Sequence, residues 1–190
     1  MKKLLLILLF LPSIGYTQNF GFNFNIGINS INVSKTEIKE SSSYMSYIIG
    51  SDVFYQIKNI RFGVGIDAFH LNVDEERNPS QPTFNPYIFT DYLIIKSDYQ
   101  LALGVRLGTL FSYENKIGKY IEMKNPVTVG LNFEYSYLLN KNSGITFGVT
   151  PTYMHITHSN KTAIRSSTYI KNPHSSVITI PFKIGIFFKF

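Results

Sequence analysis

The stretch Phe20-Gly21-Phe22-Asn23-Phe24-Asn25-Ile26-Gly27-Ile28-Asn29 decides how this chain folds. Every even position in it is large and apolar, and every odd position is Gly or Asn. Successive side chains of a strand point to opposite faces, so a period of two describes a strand with one apolar and one small polar face, and no helix produces it. The pattern recurs. Met45, Tyr47, Ile49, Val53 and Tyr55 alternate with Ser46, Gly50, Asp52 and Gln56. After a tight turn at Lys58-Asn59, Phe62, Val64, Ile66 and Ala68 alternate with Arg61, Gly63, Gly65 and Asp67. A less regular fourth segment, about Tyr87 to Lys96, sets Ile88, Tyr92 and Ile94 across the pleat from Asp91.

Four further segments complete the set. Leu101, Leu103, Val105, Leu107 and Phe111 alternate with Gln100, Ala102, Gly104, Arg106, Gly108 and Ser112. Val127 to Tyr137 alternates with Thr128, Gly130, Asn132, Glu134 and Ser136. Ile145, Phe147, Val149 and Tyr153 alternate with Thr146, Gly148, Thr150 and Thr152. The last segment sets Ile178 to Phe190 against Thr179, Lys183, Gly185 and Lys189. Short connections at 57–60, 96–98 and 139–143 alternate with longer ones at about 35–43, 72–86, 114–125 and 158–174. An even strand number with short turns at one end and long loops at the other is the pattern of a bacterial transmembrane barrel.

Composition agrees with this reading. The chain has 16 Phe, 13 Tyr, no Trp and only 16% charged residues in 190. After the first residues no run approaches the ~20 apolar residues that a membrane helix needs, so the hydrophobicity is carried in alternation instead. The interior of an eight-stranded barrel is just wide enough to be filled by side chains. The many Phe, Tyr, Ile and Leu residues would overfill it, whereas Gly, Ser, Thr and Asn fit, so the apolar face is assigned to lipid rather than to a soluble core. Tyr55, Tyr137 and Phe188 near one end, and Tyr47, Phe111 and Tyr153 near the other, suit interfacial girdles. The expected fold is all-β, a transmembrane antiparallel up-and-down barrel of about eight strands over residues 18–190.

Lys2, Lys3, the apolar run Leu4 to Leu11 and the small or polar residues Ser13 to Thr17 form a secretory signal peptide, 1–17, cleaved near Thr17-Gln18. The chain has no Cys, so neither disulfides nor a lipidated N-terminal cysteine contribute. Without Lys2 and Lys3 the mature chain carries 16 basic against 12 acidic residues, not clustered into one block, which gives no footprint for nucleic acid.

The final residues, Lys183-Ile184-Gly185-Ile186-Phe187-Phe188-Lys189-Phe190, resemble the terminal signal of bacterial outer-membrane β-barrel proteins, with Lys183, Gly185, Phe188 and Phe190 at the motif positions. The resemblance implies residence in the bacterial outer membrane, contact with its lipid and lipopolysaccharide, and recognition by the barrel-assembly machinery. Small eight-stranded members of this superfamily include adhesins, envelope-integrity proteins, lipid-modifying enzymes and companions of secretion systems.

Several stretches bear on chemistry. Gly63-Val64-Gly65-Ile66-Asp67-Ala68 fits a loose dinucleotide fingerprint, but period-two alternation runs through it where that motif needs a strand-to-helix turn. His155-Ile156-Thr157-His158-Ser159-Asn160 is similar to the His-x-Ser-Asn stretch of outer-membrane lipid A deacylases, which use a Ser-His-Glu triad. Thr157 stands where that family has Ser, and no Asp or Glu follows Glu134. His70, His155, His158 and His174 are scattered without a carboxylate cluster at ligand spacing, so neither a metal nor another cofactor is expected.

Asp52, Asp67, Asp91, Arg106, Glu134 and Lys183 all face the expected lumen, each roughly six to eight residues from the periplasmic end of its strand and hence at one level. Arg106 and Lys183 are expected to bridge to the carboxylates, with Arg61 lower down as a third base, making a polar plug. The expected role is structural or interactive, in adhesion or envelope integrity, with external loops as the binding surfaces. The longest loop carries Lys161, Arg165 and Lys171, suited to lipopolysaccharide phosphates or a protein partner, or simply solvated. The alternatives are a lipid A-modifying hydrolase using His155 and Thr157, a small pore, and a subunit of a secretion or assembly complex.

Overall fold

The computed structural model describes residues 19–35, 40–71, 81–96, 98–112, 121–160 and 174–190. The expected signal peptide, 1–17, and the cationic residues Lys161, Arg165 and Lys171 lie outside them. Ten strands form: β1 Phe20–Lys35, β2 Glu40–Ile57, β3 Ile60–Leu71, β4 Gln81–Ile95, β5 Tyr99–Gly108, β6 Phe111–Ser112, β7 Ile121–Asn140, β8 Ser143–Val149, β9 Thr152–Asn160 and β10 His174–Lys189. β5 and β6 both pair with β4, and β8 and β9 both lie between β7 and β10, so each couple is one interrupted stave. The described residues thus form eight antiparallel staves, and β1 pairs with β10 to close the barrel.

Both interruptions have a local cause. Pro86 accepts a hydrogen bond from the Thr109 amide, so its own missing N–H also faces the β5–β6 side, where the ladder breaks at Thr109-Leu110. Pro181 accepts from the Thr150 amide and faces the break at Thr150-Pro151 in the same way. A strand proline cannot donate to the ladder, and here the neighbouring stave is interrupted at the point where the donor is absent.

The register fixes the barrel's dimensions. Starting at Phe22, pairing partners run Val53, Val64, Ile88, Leu107, Val129, Tyr153 and Ile178, and return to β1 at Asn32, ten residues from the start. For eight staves this stagger gives a strand tilt of about 41° and a backbone radius of roughly 8 Å, within the usual range for transmembrane barrels.

Outward apolar residues such as Ile26, Val64, Ile88, Leu103, Val129 and Ile184 are exposed as a continuous belt. Toward the long-loop end the two faces exchange character. On β1, Ile28 faces out and Asn29 in, but two residues later Ser30, Asn32 and Ser34 face away from the lumen while Ile31 and Val33 are buried inside it. Ile48, Phe69, Leu71, Leu110, Met154, Ile156 and Val177 join them in one apolar layer that fills this end of the lumen. At about 2.5 Å of height per tilted residue, a 16-residue stave rises about 40 Å, against a belt of roughly 25 Å, so roughly 15 Å stands beyond the membrane. That part is built like a water-soluble barrel, with its apolar side chains inside.

This exchange corrects two sequence expectations. The staves run farther than the alternation indicated: β4 begins at Gln81 rather than near Tyr87, β7 at Ile121 rather than Val127, and the long connections shrink to 36–39, 72–80, 113–120 and 161–173. The lumen is also not lined by small residues alone. Phe54, Tyr87, Phe89 and Phe187 are buried in it, with Leu138 packed against them.

Candidate functional site

The chemistry-bearing residues of this chain converge inside the barrel. Asp52, Arg61, Asp67, Asp91, Arg106, Glu134 and Lys183 are all at least nine-tenths buried, four carboxylates with three cations. Each reaches the lumen because it occupies the inward phase of its stave, opposite a lipid-facing row. They form two tiers rather than one level. In the lower tier Arg61 Nε and Nη2 donate to Asp91 Oδ2 at 2.9 and 2.6 Å, and Arg61 Nη1 donates to Glu134 Oε1 at 2.8 Å. In the upper tier Lys183 Nζ donates to both Asp67 oxygens at 2.6 and 2.7 Å, and Arg106 Nη1 lies 3.6 Å from Asp67 Oδ2. On β3 alone the two tiers lie six residues apart, Arg61 next to the turn and Asp67 farther along the strand.

Asn132 couples the tiers, accepting from Arg106 Nη2 at 2.9 Å and donating to Asp91 Oδ1 at 3.0 Å. Phe89 lies between the two guanidiniums, 5.7 Å from that of Arg61 and 6.0 Å from that of Arg106. Arg61 also stacks over Phe54 at 5.2 Å, and Arg106 over Tyr87 at 4.5 Å. The inward aromatics therefore hold the arginine planes in place where water would otherwise solvate them. Asp52 is buried beside this network, directly opposite Asn23 on β1 and Gly65 on β3. Asn23 Nδ2 donates to Glu134 Oε2 at 3.4 Å.

Arg61 is the residue that sequence reasoning underrated. Placed lower down as an accessory base, it is the hub of the lower tier and makes more charged contacts than Arg106. Its partner becomes visible only in the register, where Arg61 lies directly opposite Asp91 across β3 and β4.

The terminal residues divide between the faces. Lys183 is committed to Asp67 in the lumen and Gly185 also faces inward, whereas Phe188 and Phe190 are exposed on the lipid side. The Phe190 amide donates to the Phe20 carbonyl at 2.8 Å, which fastens the terminus into the β1–β10 seam. Gly63 to Ala68 lie within β3, a strand with no phosphate-binding turn. His155 and Thr157 share the outward face of β9 near the long-loop end, and Ser176 of β10 is the direct partner of His155.

No protein-family model and no curated protein sequence matches this chain. Solved structures do match in shape. Neisserial surface protein A has a TM-score of 0.61 at 16% identity, over 89% of this chain and 97% of its own. The outer membrane protein OprG from Pseudomonas aeruginosa scores 0.54 at 11% identity, over 90% and 96%. The outer membrane protein AlkL, determined in lipid bilayers, scores 0.53 at 12% identity, over 90% of each chain. The fold is that of the small eight-stranded outer-membrane barrels.

Proposed function

We propose that this chain, a small barrel of the outer-membrane type, is an integral protein of the bacterial outer membrane with a closed lumen, acting through its outward-standing end in adhesion or envelope integrity. The observation that carries the reading is the stratified lumen. Two tiers of ion pairs, with aromatic rings stacked on their guanidiniums, are followed along the axis by an apolar layer, and six of the seven buried charges, all but Asp52, are ion-paired as a permanent plug requires. Conduction would need this filling to be displaced. That leaves the far end, raised roughly 15 Å above the belt, as the part exposed to partners.

Fractionation and pull-down test the reading together. The protein is expected in the detergent-soluble outer-membrane fraction, with unboiled and boiled samples migrating differently on gels because a closed ladder has no edge at which to unzip. Cross-linking through a residue on the outward-standing end, such as Ser43→Cys, should capture envelope or surface components. Carbonate extraction with identical mobilities would defeat the membrane barrel, and capture only of secretion-machinery subunits would replace the adhesive role with an assembly role.

A hydrolase acting on lipid A is the second reading, favoured by His155 and Thr157 on one outward face at the membrane border. It requires a carboxylate to orient the histidine. Lipid A from cells overproducing the folded protein is expected to keep all its acyl chains; loss of one chain that His155→Ala abolishes would establish the enzyme.

A further inference from the structure

The short-turn end of the barrel repeats one pairing. Ile57 precedes Lys58, Ile95 precedes Lys96, Leu139 stands two residues before Lys141, and all of these side chains are exposed. Among the described residues none of the three lysines is in an ion pair. An apolar side chain at the edge of the belt with a lysine just beyond it suits lipid headgroups, the apolar part staying among acyl chains while the ammonium reaches the phosphates. Two of the lysines share one sector. The Leu138 amide donates to the Asp98 carbonyl at 2.9 Å, so the connection holding Lys96 and Asp98 lies against the foot of β7, whose own turn holds Lys141.

Three outward tyrosines stand beside those lysines. Tyr99 on β5 is the direct partner of Tyr137 on β7, and its ring stacks on that of Tyr135 with centroids 5.9 Å apart. At this height a tyrosine keeps its ring among acyl chains and its hydroxyl among headgroups. Just above them a cleft of about 700 Å³ opens on the lipid face. Its lower ridge is Leu101, Tyr135, Phe147 and Ile184, and its upper ridge is Leu103, Phe133, Val149 and Phe182, each a row of cross-strand partners. The floor between them follows the backbone from Ala102 on β5 to Gly27 on β1. Successive inter-strand steps make it about 19 Å long, and the strand tilt lifts its β1 end roughly 13 Å above its β5 end. The low end therefore opens at Leu101 and Tyr135, directly over the tyrosine stack, and Tyr135 belongs to both.

We propose that the β5–β7–β8 sector is a binding site for one anionic glycerophospholipid of the periplasmic leaflet. Lys96 and Lys141 meet the phosphate, and the tyrosine hydroxyls donate to the glycerol and ester oxygens. One acyl chain enters the cleft at its low end and follows it obliquely toward β1. Lys96 and Lys141 against Asp98 leave the sector a single surplus positive charge, which matches a headgroup with one negative charge and not a zwitterion. The leaflet is the periplasmic one because the short turns face the periplasm in the outer-membrane reading above, on which this inference rests.

Native mass spectrometry in a neutral detergent tests the site, with dipalmitoyl phosphatidylglycerol as the titrated probe and the phosphatidylethanolamine of the same chains as reference. Each variant is first checked for the gel mobility of a folded barrel. Wild type should prefer the anionic lipid about fivefold, and less so as salt rises. Lys96→Gln with Lys141→Gln should weaken its binding about twenty-fivefold, since each basic residue near an anionic headgroup is worth about fivefold, whereas Lys96→Arg with Lys141→Arg should keep it. Tyr99→Phe, Tyr135→Phe and Tyr137→Phe together should cost about tenfold. Leu101→Trp, which narrows the low end of the cleft, should shrink the advantage of the dipalmitoyl over the dioctanoyl probe. Lys58→Gln, on another turn, should change nothing. Equal affinity for the two headgroups, unchanged binding in the Lys96 and Lys141 variant, or a chain-length advantage that Leu101→Trp leaves intact overturns the proposal. So does a loss with Lys58→Gln as large as with the pair, which would make the lysines an unselective ring. Saturation by inorganic phosphate at the same concentrations would assign the site to a free ion, and tighter, lysine-dependent binding of lipid A would move it to the other leaflet; either result overturns it as well. Any of these failures leaves outer-membrane fractionation intact, so the two readings fail separately.

Discussion

Replacing Arg61 by Ala should be the costliest single change in the lumen. Arg61 makes three charge-assisted hydrogen bonds to two buried carboxylates, Asp91 and Glu134, and its guanidinium is stacked on Phe54 and Phe89. Removing it leaves both carboxylates without their cation in a space that admits little water. Breaking a buried pair in this way typically costs about 3–5 kcal/mol. Arg106 offers the contrast. Its loss removes one bond to Asn132 and a 3.6 Å ion pair to Asp67, while Asp67 keeps both bonds from Lys183. About 1–2 kcal/mol is expected there. Arg61→Lys should recover only part of the loss, because an ammonium on a flexible stem does not reproduce the planar fork that reaches two carboxylates at once. Urea unfolding in detergent, followed by tyrosine fluorescence since the chain lacks Trp, and by the mobility of unboiled samples, gives the values by linear extrapolation. An Arg61→Ala barrel within ~1 kcal/mol of wild type, the range of an exposed pair, would refute the two-tier account. So would an Arg106→Ala loss larger than that of Arg61→Ala.

Three further outcomes follow from the geometry. A methyl group at Gly27 would run into the Phe182 backbone carbonyl across the β1–β10 seam, whereas at Gly148 its nearest neighbour is the Phe133 carbonyl oxygen at 3.5 Å, so in thermal melts Gly27→Ala should lower the midpoint and Gly148→Ala should leave it nearly unchanged. Deleting Phe190 or replacing it with Asp should leave the protein unassembled and degraded in the periplasm, while substitutions in 72–80 should not; immunoblots of membrane fractions decide this, and equal levels would remove the terminal-signal argument. The exchange of faces on β1 predicts that Ile31→Lys, which buries a charge in the apolar layer, destabilises by several kcal/mol, roughly 3 or more, whereas Asn32→Lys, pointing away from the lumen above the belt, costs less than ~1 kcal/mol in the same unfolding assay.

The fold was legible because lipid demands a strict alternation, and ten consecutive residues from Phe20 already show it. Stave lengths were not, because the rule reverses where the barrel leaves the membrane. Ile31, Val33, Met154 and Ile156 are apolar in the inward phase, so a reading that equates apolar with outward stops too early. Phe54, Phe89 and Phe187 escaped for the same reason, since each sits within an apolar run where phase alone distinguishes lipid from lumen. In the lumen, the inward phase of Asp52, Asp67, Asp91, Arg106, Glu134 and Lys183 followed from alternation, but their partners did not. Which charge meets which depends on stagger around the circuit, ten residues here, and that quantity resides in eight registers rather than in any one segment. Arg61 became the hub because β3 pairs it directly with Asp91 and its long side chain also reaches Glu134 on β7 across the lumen.

Single-channel recording in planar bilayers tests the closed lumen most directly. Purified barrel, its folding checked by gel mobility, is expected to insert without steady conductance across the voltages at which a water-filled barrel of this size would conduct, because ion pairs, the aromatic rings stacked on them and an apolar layer occupy the axis. Under the same conditions Arg61→Ala should give intermittent openings at most. Large, stable, ohmic conductance from the wild-type protein would contradict the account and make the barrel a small pore.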